Sequence, residues 1–103
     1  LLRDRFLPGG LYLLDEPEAA LSPKRQLAML TRMHDLVEGG SQLLIATHSP
    51  ILMAYPGACI YGLDEDGLER VRYEDTEHVQ ITRDFLEQPA RFLKHLLDDG
   101  SGR

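Results

Sequence analysis

The 103-residue chain predicts an α/β fold in which parallel strands are joined by a crossover helix. Three observations carry that prediction. Two short runs, Leu11-Tyr12-Leu13-Leu14 and Leu43-Leu44-Ile45-Ala46, are apolar with no polar alternation. The stretch between them has helical periodicity, and behind the second run an Asp-Gly signal separates a third apolar run from an alternating one. In chain order, Leu1 to Leu7 predicts the tail of a helix, and Pro8-Gly9-Gly10 breaks the chain before the first strand. That strand ends on Asp15 and Glu16, with Pro17 stopping it. Ser22 caps a helix whose first residue is Pro23. Leu27, Leu30, Met33, Leu36 and Val37 give it an apolar stripe until Gly39-Gly40 ends it. The second strand, Gln42 to Ala46, is expected to be covered on both faces.

Beyond Thr47-His48-Ser49, a short segment holding Ile51, Leu52, Met53 and Tyr55 is closed by Pro56-Gly57. Ala58 to Leu63 predicts a third strand. Asp64-Glu65-Asp66-Gly67 turns it into Leu68 to Tyr73, whose period of two marks an exposed antiparallel partner, so a β-hairpin is expected on the rim of the sheet. Thr76 caps a helix through about Leu86 and Pro89 begins another. Phe92, Leu93, Leu96 and Leu97 give the last helix an apolar face, and both helices are expected to pack on the core. The Gly100-Ser101-Gly102-Arg103 end is expected to fray.

A chain of this length forms one small domain that buries roughly two-thirds of its unfolded surface. It has no signal-peptide pattern and no apolar run long enough to span a bilayer, which predicts a soluble cytoplasmic protein without membrane insertion. The single cysteine, Cys59, sits in an apolar stretch and is expected to be a reduced, buried thiol; no disulfide or zinc framework exists. A net charge of -6 argues against direct nucleic-acid contact by this segment, because phosphate backbones are gripped by basic patches.

A crossover connection places both strand ends on one edge of the sheet, so Asp15 and Glu16 meet Thr47-His48-Ser49 there. Charges at the end of an apolar strand need a partner, a metal or water, which makes this edge the candidate site. His34, His78 and His95 show no paired ligand spacing, and Asp64-Glu65-Asp66 lacks the spacing of a cation loop; both are expected to be solvated structure. Lys24 and Arg25 at a helix start, and the acidic stretch Tyr73 to His78, are likewise expected to be solvated.

An apolar strand ending in Asp-Glu-Pro, then Glu18-Ala19-Ala20-Leu21-Ser22, then a strand ending Ala-Thr-His-Ser, resembles the carboxyl-terminal half of an ATP-binding cassette (ABC) or AAA-type P-loop ATPase. The resemblance covers about Leu11 to Ser49 and implies a partial P-loop NTPase sheet. It implies that Asp15, in the Walker B strand, holds Mg²⁺ through water, that Glu16 is the general base for the attacking water, and that His48 is the switch histidine on the γ-phosphate. Ala19, Ala20, Leu21 and Ser22 would form the D-loop beside the nucleotide. The cofactors implied are ATP and Mg²⁺. A hard cation prefers carboxylate oxygens, and in-line phosphoryl transfer needs an oriented water with positive donors around the spreading charge.

The chain departs from that pattern in two ways. No Gly-x-x-x-x-Gly-Lys-[Ser/Thr] occurs, so the loop that cradles the β- and γ-phosphates is expected upstream, with residues 1–103 forming the carboxyl-terminal portion of one cassette-type domain. Ser22 and Glu18 stand where transporters often carry Asp and Thr, which brings the pattern closer to stand-alone ATPases of the recombination, repair and phage-defence type. The expected function is ATP hydrolysis within a longer homodimeric protein, the isolated chain being inactive. Without the Walker A strand, the edge Leu43 to Ala46 is expected to be unpaired and the strand Ala58 to Leu63 to lose its neighbour, so the fragment should self-associate or rearrange. The alternatives are a non-catalytic interaction or dimerisation module on the same fold and, more weakly, a metal-dependent nuclease using Asp15, Glu16 and Asp64-Glu65-Asp66.

Overall fold

The computed structural model describes residues 9–98, so the helix tail expected over Leu1 to Leu7 and the Gly100 to Arg103 end lie outside the described residues. The chain divides into two compact units, 1–58 and 59–103.

In the first unit, strands β1 (Leu11–Asp15) and β2 (Gln42–Ala46) pair in parallel, with Leu11 opposite Gln42 and Asp15 opposite Ala46. Helix α1 (Pro23–Glu38) connects them, as the crossover rule requires. Both of its ends are set by local chemistry. The Ser22 hydroxyl accepts the Arg25 amide at 3.2 Å, and Pro23 occupies the first turn, where no amide partner is needed. At the other end Gly40 takes a φ of +91, while the Ser41 amide donates to Leu36 O at 2.9 Å and the Gly40 amide to Val37 O at 3.0 Å. That pair of bonds is a Schellman motif, and only a glycine enters its left-handed position without strain.

Met29, Met33 and Leu52 form the buried centre, with Leu14, Leu21, Leu30, Leu43, Ile45 and Tyr55 packed around them. The helical stripe is therefore centred on Met29 and Met33, and Leu27, which its spacing assigned to the core, is exposed. The expectation that β2 is covered on both faces needs correction. Leu43 and Ile45 face α1, but Leu11, Leu13 and Leu44 on the opposite face are 61%, 68% and 64% exposed. An uninterrupted apolar run signals two faces that can be buried, and the described residues cover only one of them.

In the second unit, β3 (Ile60–Asp64) and β4 (Gly67–Val71) pair antiparallel, from Ile60 opposite Val71 to Asp64 opposite Gly67. This hairpin is a two-stranded sheet of its own, not the rim of the parallel one, and among the described residues β3 has β4 as its one strand partner. The turn also differs from the Asp-Gly expectation. Glu65 and Asp66 take its centre with negative φ; Gly67 follows it at φ +112, and the Asp66 amide donates to Asp64 Oδ1 at 2.8 Å. The acidic triplet thus serves an Asx turn.

Helix α2 (Glu77–Glu87) starts at Thr76, whose hydroxyl accepts the Val79 amide at 3.3 Å and donates to Tyr73 O at 2.9 Å. Helix α3 (Pro89–Leu97) follows it, and Phe85 meets Phe92 edge to face with ring centres 5.8 Å apart. Val79 of α2 is buried, but other apolar residues of these helices are not packed into a core as expected: Ile81, Leu86, Leu93, Leu96 and Leu97 are 43% to 67% exposed. Cys59 is exposed too, because it precedes β3 in a segment with no regular pairing, which corrects the buried thiol expected from its apolar neighbours. Among the described residues no helix is long and apolar enough to cross a membrane.

Candidate functional site

Parallel pairing in register brings the carboxyl ends of β1 and β2 to one edge, and the ladder runs one residue further through the Glu16 amide, which donates to Ala46 O at 2.6 Å. Glu16 then takes φ 46 and ψ 55, the one left-handed non-glycine among the described residues. Such a conformation costs on the order of 1–2 kcal/mol and persists only where its surroundings hold it. Here the ladder bond holds it on one side. On the other, Pro17 bars the right-handed helical conformation at the preceding residue and opens a 3₁₀ turn, Pro17–Ala20.

The opposite strand end is held by side chains of that turn and of α1. The Glu18 carboxylate accepts the Thr47 hydroxyl at 2.7 Å on Oε1 and the His48 amide at 3.0 Å on Oε2. Ser49, buried, donates its amide to Thr47 Oγ1 at 3.0 Å and its hydroxyl to Gln26 Oε1, and accepts the amides of Ile51 and Leu52. Gln26 in turn donates to Leu21 O at 3.1 Å. Every polar atom named here is paired, as partly buried groups require. Burial pushes the Glu18 pKa up, but the hydrogen bonds from the His48 amide and the Thr47 hydroxyl, with a smaller contribution from the nearby imidazole, outweigh it and hold the carboxyl below its ordinary value.

His48 is thereby fixed through its backbone while its ring stays accessible. Its Nε2 lies 3.8 Å from Glu16 Oε2, with the two side chains 66% and 54% exposed. An exposed pair of this kind contributes little stability by itself. Asp15 stands beside them, exposed, at the last position of β1. Asp15, Glu16 and His48 are thus brought to one edge, as the sequence pattern anticipated. Ala19 and Ala20 are exposed in the turn, Leu21 packs on the core, and the Ser22 hydroxyl caps α1.

The strand-end motif left two residues of the site without a role. Glu18 stood out only as a departure from the transporter pattern, and Gln26 had a usable signal, since it lies three residues before Met29 on the buried stripe of α1. A polar side chain there needs an internal partner. His34 and His95 are exposed on their helices, and the His34 ring nitrogen Nδ1 lies 2.9 Å from the Tyr55 hydroxyl.

Among the described residues no three His, Cys, Asp or Glu side chains gather as a metal-holding group. A single strand-end carboxylate suits Mg²⁺, which keeps most of its waters and takes one or two carboxylates together with substrate phosphates.

Parallel strands with an α crossover, and acids and an imidazole at their shared carboxyl edge, define a partial P-loop NTPase fold. Residues 2–54 match the family described as "AAA domain, putative AbiEii toxin, Type IV TA system", and the chain belongs to that family. The match runs through β1, α1 and β2, inside the first compact unit. Membership carries an ATPase-like, nucleotide-binding function, with Mg²⁺ as the usual companion ion. No curated protein and no solved structure matches the chain.

Proposed function

We propose that this segment is the carboxyl-terminal portion of a cassette-type ATPase domain, supplying the Walker B strand, the D-loop and the switch histidine to an ATP site completed by a phosphate-binding loop elsewhere in a longer protein. The observation that carries this reading is the 3.8 Å approach of His48 to Glu16 beside Asp15, at the shared edge of two parallel strands. In this reading Asp15 holds the hydrated Mg²⁺, Glu16 takes the proton of the attacking water, and His48 donates to the γ-phosphate. Mg²⁺, when bound, neutralises charge on the phosphate oxygens. Ala19, Ala20, Leu21 and Ser22 form the turn beside the nucleotide, and the functional protein is a cytoplasmic homodimer.

The Glu18-Ala19-Ala20-Leu21-Ser22 turn supports a stand-alone ATPase of the recombination, repair or defence type over a transporter subunit. The nuclease alternative loses support: Asp64 is engaged by the Asp66 amide in a hairpin turn, and no metal-holding cluster occurs among the described residues.

The test is Mg²⁺-dependent binding of a fluorescent ATP analogue to the protein that contains both halves of the site. Asp15→Asn is expected to remove the Mg²⁺ dependence while leaving weaker, metal-independent binding. Binding that keeps its full Mg²⁺ dependence in this variant contradicts the proposal.

A further inference from the structure

The geometry points to Glu18 as the residue that positions His48: one carboxylate accepts both the Thr47 hydroxyl and the His48 amide and so sets the imidazole against Glu16. This goes beyond the ATPase reading by adding a positioning residue to the same site, and rests on that reading only for its catalytic meaning.

Three features of the contacts support it. Glu18 uses its two oxygens on consecutive residues, Thr47 at 2.7 Å and the His48 amide at 3.0 Å, so it fixes both the position and the orientation of that peptide. A carboxylate receiving two donors makes charge-assisted bonds, which are stronger than neutral ones. The restraint is also local to His48. On the far side Ser49 is held separately by Gln26, and the same Gln26 holds Leu21 at the end of the turn that carries Glu18. The turn and the switch loop are therefore bridged twice, once at Glu18 and once at Gln26. Only the first bridge touches His48 itself. With the backbone held, the ring is left to approach Glu16, whose left-handed backbone is fixed by its own bond to Ala46 O.

Replacement by alanine removes both bonds. Glutamine retains them without the charge, because its oxygen can accept the His48 amide while its amide group donates to Thr47 Oγ1, which has a second lone pair beside the one used by Ser49. Aspartate keeps the charge but withdraws the carboxylate by one methylene, too far to serve both donors.

The experiment is NMR of the nucleotide-free chain, reading hydrogen exchange of the His48 amide and the nuclear Overhauser contact between the His48 ring and the Glu16 side chain. E18A is expected to speed exchange at His48 by about 10-fold or more, the loss of one charge-assisted bond, and to abolish the ring contact, with amides of β1 and α1 unshifted. E18Q is expected to keep the contact. If E18A collapses the spectrum, E18D is read instead, with faster exchange and a weakened contact expected. A ring contact that survives unchanged in folded E18A or E18D overturns the assignment, as does its loss in E18Q. None of these readouts needs nucleotide, so absence of hydrolysis in the longer protein would remove the ATPase reading and leave this one standing.

Discussion

Glu18 shows how one side chain can make a strand-end loop sensitive to pH. Its carboxyl is held below the ordinary glutamate value, with the upward push of burial outweighed by the bonds from the His48 amide and the Thr47 hydroxyl. A group with a lowered folded value stabilises fully above its unfolded value, about 4.3, and loses that contribution as pH falls through the lowered folded value. The denaturation midpoint of the wild-type chain is therefore expected to drop on acidification below about pH 4. The drop should be smaller in Glu18→Gln, the difference between the two isolating this group from the other carboxylates. Equal acid sensitivity in the two proteins contradicts the assignment. At this scale Asp15, Glu16 and His48 were legible because strand ends in a parallel pair share an edge whatever the side-chain detail. The roles of Glu18 and Gln26 were not, because a hydrogen-bonding partner thirty or twenty-three positions away depends on a register and a turn conformation that no local pattern encodes. The left-handed backbone of Glu16 carries no sequence signal either, since glutamate rarely adopts it.

At the level of elements, α1 is the piece whose chemistry is simplest to test. Ser22→Ala removes the acceptor for the Arg25 amide and is expected to cost about 1 kcal/mol. Met33→Ala, at the buried centre, is expected to cost about 2–5 kcal/mol, and Leu27→Ala, on the exposed side of the same helix, about 0.5 kcal/mol or less. Urea unfolding followed by circular dichroism measures all three, and a Leu27 cost equal to that of Met33 would show that the stripe is misassigned. The limits of α1, α2 and α3 were readable because Ser22, Thr76, Pro23, Pro89 and Gly39-Gly40 act through bonds within a few residues of themselves. Burial of the strands and of the carboxyl-terminal helices was not. Apolar character states which surface can be buried, and the covering element decides whether it is, as Leu13, Leu44 and Leu96 show by their exposure. Turn type at Glu65-Asp66 was missed for a similar reason, the glycine being able to serve at either of two neighbouring positions.

For the molecule as a whole, the open apolar face of the parallel sheet has a direct consequence. Leu11, Leu13 and Leu44 stand together on it, and contiguous apolar surface of this kind drives association. Light scattering of the isolated chain is expected to show a mass that rises with concentration, and Leu13→Lys with Leu44→Lys is expected to return it to a monomer. A wild-type chain that stays monodisperse and monomeric at high concentration contradicts this. The family match covers the unit that carries the site, and the hairpin with its two helices lies beyond it. The claim on which the rest depends is that the acidic pair and the imidazole serve one triphosphate. The most direct test is ATP turnover by the protein containing both halves of the site, with Glu16 intact and with Glu16→Gln. Removal of a general base is expected to lower kcat by about 10²- to 10⁴-fold while bound nucleotide is retained. Turnover undiminished in the Gln variant would contradict the assignment of this site.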